Sequence, residues 1–393
     1  MKILAVFDAY PYPLSHGQNL RVFNYAKRLS DHHELSLIYM GESGPAEPLD
    51  GLFRQTIGID DWGYQQERGL LGRLRGAFAV ERILPSSEKL GDTVRALHRA
   101  GPIDVIWVGA EALVPSLPRE LDVPVLVDEC DHEGVIFRRL LTLERRPWAW
   151  LRLYKRYQMR LAFERRVFRR AQEAMFVSEV DARSFSRNCP STPVHVVANG
   201  VDVEFFAPRD VEPRKGSLVF EGNMAFPPNV DAVRYFVGEI LPHIQSQVPE
   251  AHLTIVGKDP APEVLALVSQ SVSVTGFVDD VRPYVAGGQV FVCPMRRGAG
   301  IKNKILQAWA MGVPVVSTPE GVGGLDARDG VNLLIGSSPR AFADAVLSLL
   351  NDDPRRAELG ASGRRTVLEK YTWEQRGNEL EALLTTLARS GRH

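Results

Sequence analysis

Cysteine is scarce in this chain. Its three cysteines, Cys130, Cys189 and Cys293 among 393 residues, are too few and too widely spaced for a disulfide framework or paired metal ligands. A reducing cytoplasm fits that usage. Apolar runs of the roughly 20 residues needed to cross a bilayer are missing. The amino terminus also lacks a leader pattern: Lys2 precedes only the short run Ile3 to Phe7, and no small-residue cleavage site follows. That run is expected to be a first β-strand, and any membrane contact is expected from one face, peripherally, at the inner side. Excess charge of either sign is absent, with 47 basic and 48 acidic residues and a net charge of -1. This excludes a surface built as a whole to hold nucleic acid, so an electrostatic partner must meet a local patch. With 45% hydrophobic and 24% charged residues, the composition is that of a globular protein. At this length two domains are expected, because single cores stop growing near about 250 to 300 residues.

Short apolar runs alternate with helical patterns in the first half: Ile3 to Phe7, Leu20 to Leu29, Leu35 to Tyr39, Val105 to Val108 and Val125 to Val127. Such alternation predicts parallel strands joined by crossover helices. The pattern restarts after residue 200. Strands are predicted at Leu218 to Phe220, Leu253 to Val256, Val272 to Val274, Val290 to Cys293 and Val313 to Val316, with helices near Val230 to Ile240, Glu263 to Ser269 and Lys302 to Met311. Two doubly wound α/β units follow. Ala207 to Lys215, polar and with two prolines, suits a hinge, which divides the chain into 1–207, 208–372 and a final helix, 373–393, expected to pack back on the first domain.

Ligands of open parallel sheets bind beyond the carboxyl ends of the strands. After the first strand, the loop Tyr10 to Arg21 holds Gly17, which either lets backbone approach a ligand or sits in an ordinary proline turn. The segment Met295-Arg296-Arg297-Gly298-Ala299-Gly300-Ile301-Lys302-Asn303-Lys304 carries more. It follows a strand, holds two glycines and opens a helix, so free N–H groups, a helix dipole and cations converge as a diphosphate requires. The alternative is a solvated basic turn.

Several motifs together resemble glycosyltransferase family 4: Asn199-Gly200-Val201-Asp202, Gly222-Asn223-Met224, Ile255-Val256-Gly257, Thr275-Gly276-Phe277-Val278-Asp279-Asp280, Gly298-Ala299-Gly300, Ala308 to Thr318 and Tyr371-Thr372-Trp373-Glu374. The first half is similar more loosely, through Gly17, Arg21 and Val177 to Asp181. The resemblance implies a GT-B fold, two Rossmann-like domains facing across a cleft, and retaining transfer of a sugar in glycoconjugate or polysaccharide synthesis. The nucleotide sugar is then a substrate, not a cofactor, and the acceptor a glycan, a lipid-linked or a small molecule. Donor contacts would fall on Gly17, Asn223, Gly257, Phe277, Arg296, Gly298, Gly300, Lys302, Lys304 and Gln307, with Lys304 the main diphosphate contact. The pattern also departs from the family. The usual pair of glutamates falls on Ala299 and Gln307, and the usual diphosphate clamp falls near Asn223 and Pro228. A glutamine can still hold a ribose through one donated and one accepted hydrogen bond.

On the acceptor side, Val125 to Glu133 ends a strand with Asp128, Glu129, Asp131, His132 and Glu133. His132, Asp131 and Lys304 are the catalytic candidates, with His16, Arg21 and Asp128 as acceptor contacts. Asp131 or Asp128 alternatively caps the next helix. No metal is expected, since a helix N-terminus with Lys or Arg can neutralise a leaving diphosphate. Residues 138–170 hold twelve basic residues interleaved with Trp148, Trp150, Leu151, Tyr154 and Tyr157, either a surface for anionic membrane or phosphorylated acceptor or a solvated helix face. Arg68, Arg73, Arg75 and Arg82 add a second basic cluster. Three functions compete: a glycosyltransferase, a non-catalytic nucleotide- or glycan-binding relative with a degenerate site, and a nicotinamide oxidoreductase. The last needs a glycine-rich fingerprint after the first strand, and residues 8 to 21 contain a single glycine.

Overall fold

The computed structural model describes residues 1–14, 17–42, 44, 47–60, 87–297 and 300–391. Ser15, His16, Gly298, Ala299, Arg68, Arg73, Arg75 and Arg82 lie outside the described residues. The chain divides into two compact units, Met1–Ala198 with Arg376–His393, and Asn199–Gln375.

The first unit is built on a seven-stranded parallel sheet: β1 (Lys2–Phe7), β2 (Glu34–Met40), β3 (Gln55–Ile59), β4 (Val105–Val108), β5 (Val125–Glu129), β6 (Glu173–Phe176) and β7 (Val194–Val196). Their order is β3-β2-β1-β4-β5-β6-β7. Every residue of β4 is buried, as expected of a strand covered by helices on both faces. Those helices are α1 (Gly17–Ser30), α2 (Glu88–Ala100), α3 (Glu133–Leu143), α4 (Pro147–Val167) and α5 (Glu179–Ser186). Local chemistry starts several of them. The Ser87 hydroxyl accepts from the Leu90 amide at the head of α2, Ser178 accepts from the Asp181 amide at the head of α5, and Pro147 occupies the first turn of α4, where its missing N–H costs nothing.

The second unit repeats the plan with six parallel strands: β8 (Ser217–Glu221), β9 (His252–Val256), β10 (Val272–Val274), β11 (Val290–Cys293), β12 (Val315–Ser317) and β13 (Leu334–Ile335), in the order β10-β9-β8-β11-β12-β13. Its helices are α6 (Pro227–Tyr235), continued by a π-turn over Phe236–Ile240, α7 (Leu241–Gln245), α8 (Pro262–Leu265), α9 (Arg282–Ala286), α10 (Asn303–Ala310), α11 (Pro339–Leu350) and α12 (Asp353–Lys370). The last helix, α13 (Trp373–Ser390), begins in this unit, and from Arg376 onward it belongs to the first.

The first boundary falls at Ala198–Asn199, ahead of the proline-rich hinge expected at 207/208. Side-chain and backbone bonds fix the difference. Asn199 donates to Asn303 at 3.1 Å, the Val201 amide bonds the Tyr371 carbonyl at 2.8 Å, and Arg209 pairs with Asp280 at 3.5 Å. The proline segment is thereby tied to the second sheet's own surroundings.

Candidate functional site

In each sheet the chain winds outward from its first strand on one side, then reverses, and such a reversal opens a crevice beyond the carboxyl ends. In the second unit that point lies between β8 and β11. Residues 222–226, 294–297 and 300–302 flank it. Gly222 and Gly257 hold φ of +153° and +149°, and a Cβ on Gly257 would lie 1.7 Å from the Gly222 carbonyl oxygen. Only glycine therefore lets the ends of β8 and β9 meet, sealed by the Gly222 amide on the Val256 carbonyl at 3.0 Å. Gly300, with φ +64°, turns the chain into α10, and its carbonyl accepts from Lys302 Nζ at 3.0 Å. The unsatisfied amides at the start of α10 thus stand beside the reversal point, which is the arrangement an anion requires.

The cations do not sit as the sequence predicts. Lys304 is 9% exposed, and its ammonium points into the unit. It donates to the Glu221 carbonyl at 2.5 Å and to Asn229 Oδ1 at 3.0 Å, and lies 4.0 Å above the Phe220 ring. Burial pulls its pKa below the ordinary lysine value. In this geometry Lys304 anchors the floor of the crevice directly beneath Gly222, where an added Cβ would come within 2.7 Å of the ammonium. Its removal therefore disturbs the fold, contrary to a role as a solvent-facing clamp. Lys302 is buried as well. Arg296 is held aside by Asp231 at 2.8 Å and over the Tyr235 ring at 4.2 Å, and Arg297 lies 3.7 Å from the same aspartate.

Asn223 stands at the crevice, its Oδ1 accepting from the Ala225 amide at 2.9 Å. Gln307 is half-buried one turn into α10. Phe277, 71% exposed, follows β10 at the sheet edge, two strands away from β8, so it is not gathered with the others. Sequence reasoning missed Asn229, whose buried carboxamide joins Asn223 O at 2.9 Å to Lys304. It also missed Thr318, whose hydroxyl is bonded to the Met295 carbonyl. Both are polar residues buried beside a strand end, which is the signal that could have found them.

In the first unit the reversal lies between β1 and β4. Gln18, next to Gly17 at the head of α1, spans it, donating to Asp8 at 3.2 Å and to the Gly109 carbonyl at 2.9 Å. Arg21 and Asp128, expected to touch an acceptor, are instead sealed in the core. Arg21 Nε binds both oxygens of Asp128 at 2.9 and 3.1 Å, and Nη1 reaches Tyr25 and the Val197 carbonyl at 2.9 and 2.8 Å. Trp107 donates to Asp128 at 3.1 Å. With both residues nearly inaccessible, they fasten α1, β4, β5 and the end of the unit together, and breaking such a pair costs about 3–5 kcal/mol.

His132 is also turned inward. At 2% exposure, its Nε2 lies 2.7 Å from Glu164 Oε1, and Phe176 and Phe185 meet it edge-on. Its backbone amide donates to Asp181 at 3.1 Å. Asp131, one residue earlier, is exposed at the end of β5, and His132 rather than an aspartate occupies the N-cap of α3. The carboxylates that do gather beyond β4 and β5 are Glu111, Glu129 and Glu133, around Arg160. Arg160 pairs with Glu111 and lies 3.0 Å from Glu133, while Glu129 accepts from the Glu111 amide at 2.7 Å. Burial, then the neighbouring Glu129, holds the Glu111 carboxyl well above its usual range. Burial pushes Glu129 up to about 7 despite Arg160.

Helices α3 and α4 divide the basic segment. Arg138 donates to Ser184 at 2.5 Å and Arg170 to the Pro115 carbonyl at 3.0 Å. Along the first turns of α4, Trp148 and Leu151 are 61% and 64% exposed, Trp150 stacks on Tyr154 at 5.1 Å, and Arg146 and Arg152 lie over the Trp148 ring. Among the described residues no helix is long and apolar enough to cross a membrane.

Two doubly wound parallel sheets with a reversal point in each are the fold of GT-B glycosyltransferases. The chain superposes on an Anabaena protein, Alr3699/HepE, solved in complex with UDP, with a TM-score of 0.70 over 98% of this chain and 100% of that one, at 15% identity. Residues 215–352 match the family described as glycosyl transferases group 1, a stretch holding both loops of the second reversal point. The chain is 30% identical over 247 residues to a GDP-mannose-dependent alpha-(1-6)-phosphatidylinositol monomannoside mannosyltransferase of Mycolicibacterium smegmatis, covering 56% of this chain and 64% of that protein. It is 23% identical over 386 residues to an uncharacterized 44.6 kDa protein in the cps region of Klebsiella pneumoniae, covering 94% and 96%. The chain thus spans less than two thirds of the mannosyltransferase it matches.

Proposed function

We propose that the protein is a nucleotide-sugar-dependent glycosyltransferase that moves a glycosyl group, with retention of configuration, onto a hydroxyl of a glycan, lipid-linked or small-molecule acceptor. The observation that carries this reading is a coincidence: the stretch matching the group 1 family contains the loop after β8 and the loop opening α10, the two that flank the reversal point. The donor diphosphate lies there against the first amides of α10, with the positive end of the helix and the buried Lys304 ammonium beneath it. Gln307 takes the ribose. In retaining transfer the leaving phosphate can accept the acceptor's proton, so no strong base is required. Asp131 is then a hydroxyl contact, and His132 positions the start of α3 through Glu164 without touching substrate.

GDP-mannose is the first donor to test, because the mycobacterial relative is named for it, and a phosphatidylinositol mannoside is the first acceptor. UDP-sugars form the second arm, in view of the UDP-bound structural neighbour. We place the protein in the cytoplasm, in peripheral contact with the inner membrane face through 138–170. The exposed tryptophans, Leu151 and arginines of α4 support this, combining an apolar body with basic heads. The assay is release of nucleoside diphosphate from a donor panel with and without acceptor. Acceptor-dependent release is expected. The second reading, a relative that binds without turnover, is favoured by Ala299 and Gln307. It predicts donor-induced thermal stabilisation with no release under any acceptor.

A further inference from the structure

Between α3 and α5 lies a cavity of about 290 Å3 within the first unit. Arg138 and Arg139 reach it from α3, and Arg183, Ser184 and Arg187 from α5 and its C-cap, with two valines beside them. Four guanidiniums and no carboxylate line it. The acid facing it from outside is Glu179, 3.5 Å from Arg183, where both side chains are exposed. Arg138 Nη2 uses one donor on the Ser184 hydroxyl. Arg183 and Arg187 are exposed and Arg138 and Arg139 half-buried. Repulsion among four cations gathered without a carboxylate is relieved by one kind of guest, an oxyanion with several acceptor oxygens, and forked guanidinium donors match a phosphate in geometry as well as in charge.

We propose that this cavity is a binding site for a phosphate ester, distinct from the donor diphosphate site, which belongs to the second unit. The ester is carried either by a small soluble molecule or by a lipid headgroup. Turnover is not required, so the inference stands apart from the transferase reading. The test uses the full chain. Glycerol 3-phosphate is titrated calorimetrically at low and high salt, and flotation is measured with phosphatidylcholine vesicles with and without phosphatidylglycerol. Wild type is compared with the double variant Arg139→Gln, Arg187→Gln, and with Arg340→Gln, an exposed cation of the second unit, as control. The double variant spares the Arg138–Ser184 bond that ties the helices, and an unchanged unfolding temperature checks that it folds. Loss of two charge-assisted contacts is expected to weaken binding about tenfold or more, with the control unaffected. Weakening with glycerol 3-phosphate alone identifies a soluble ester, and weakening with vesicles alone identifies a headgroup. Equal binding by wild type and double variant in both arms overturns the proposal.

Discussion

Replacing Lys304 by methionine separates anchoring from donor contact. Methionine keeps most of the stem that packs on Phe220 and deletes the ammonium. Two acceptors, the Glu221 carbonyl and Asn229 Oδ1, then lose the donor held at 2.5 and 3.0 Å. A buried acceptor left unmet costs about 1–3 kcal/mol. Two such losses, offset in part because the charge no longer has to be desolvated, give a destabilisation of roughly 2–4 kcal/mol. For a unit of this size each kcal/mol lowers the midpoint by about 2–4 °C, so scanning calorimetry is expected to show a fall of about 4–15 °C. Asn229 also holds the Asn223 carbonyl at 2.9 Å, so the turn flanking the crevice loosens and donor affinity falls with stability. If the variant unfolds at the wild-type temperature while kcat/KM drops roughly 10²- to 10³-fold, as loss of a transition-state stabiliser would cause, the lysine works on the donor and the anchoring argument is refuted.

Gly257→Ala is expected to cost more than about 3 kcal/mol or abolish folding of the second unit, since the added carbon meets the Gly222 carbonyl oxygen at 1.7 Å and a side chain at positive φ is strained as well; a soluble variant with wild-type denaturant midpoint would contradict this. Glu129, raised by burial from an ordinary 4.5 to about 7, binds its proton more tightly folded than unfolded. Its favourable contribution is complete below about pH 4.5 and is lost as the pH rises to about 7, so wild type should lose on the order of 1–3 kcal/mol across that window relative to Glu129→Gln, and parallel stability curves for the two would exclude the shift. Catalysis is expected to be insensitive to chelator, since the first amides and the dipole of α10 can answer the diphosphate charge; a strict requirement for added Mg²⁺ would remove that model. Exchanging Trp148 and Leu151 for serine should reduce flotation with anionic vesicles at low salt, where exposed charges are least screened, and undiminished flotation would free α4 of that role.

Much of the fold can be read directly from apolar runs. Strands β4 and β11 coincide with their continuous apolar runs, because strands covered on both faces leave no polar position to blur the boundary. Strand β3, Gln-Thr-Ile-Gly-Ile, went unread because it lies at the sheet edge with most of its residues outward, so burial imposes no pattern on it. The positions of the site loops were legible from glycines following strands. The directions of their side chains were not. Lys304 carries a clue, since Ile305, Ala308 and Trp309 are its buried companions on α10, and a lysine on that stripe must send its ammonium inward to a partner. Arg21 stands likewise one turn before Tyr25, inside the α1 core stripe. The bond between His132 and Glu164 joins residues 32 positions apart and leaves no periodic trace.

These directions change what the family-like residues can argue. Gly257 is demanded by the Gly222 carbonyl and Lys304 by Asn229. Both serve packing, and a protein that had abandoned catalysis would need them just as much. Their presence therefore speaks for the fold, and the distinction between an enzyme and a non-catalytic relative falls on residues without such duties. Gln307 is one, its half-buried amide making no hydrogen bond among the described residues, so its donor and acceptor remain available to a ribose. The turn at Gly300 is another, where a φ of +64° leads the chain into α10. A retaining transfer develops its charge on the leaving phosphate. In the transfer proposed above, the groups that answer that charge are the first amides and the dipole of α10, and release of nucleoside diphosphate decides whether turnover persists with Ala299 and Gln307 in place of the usual glutamates.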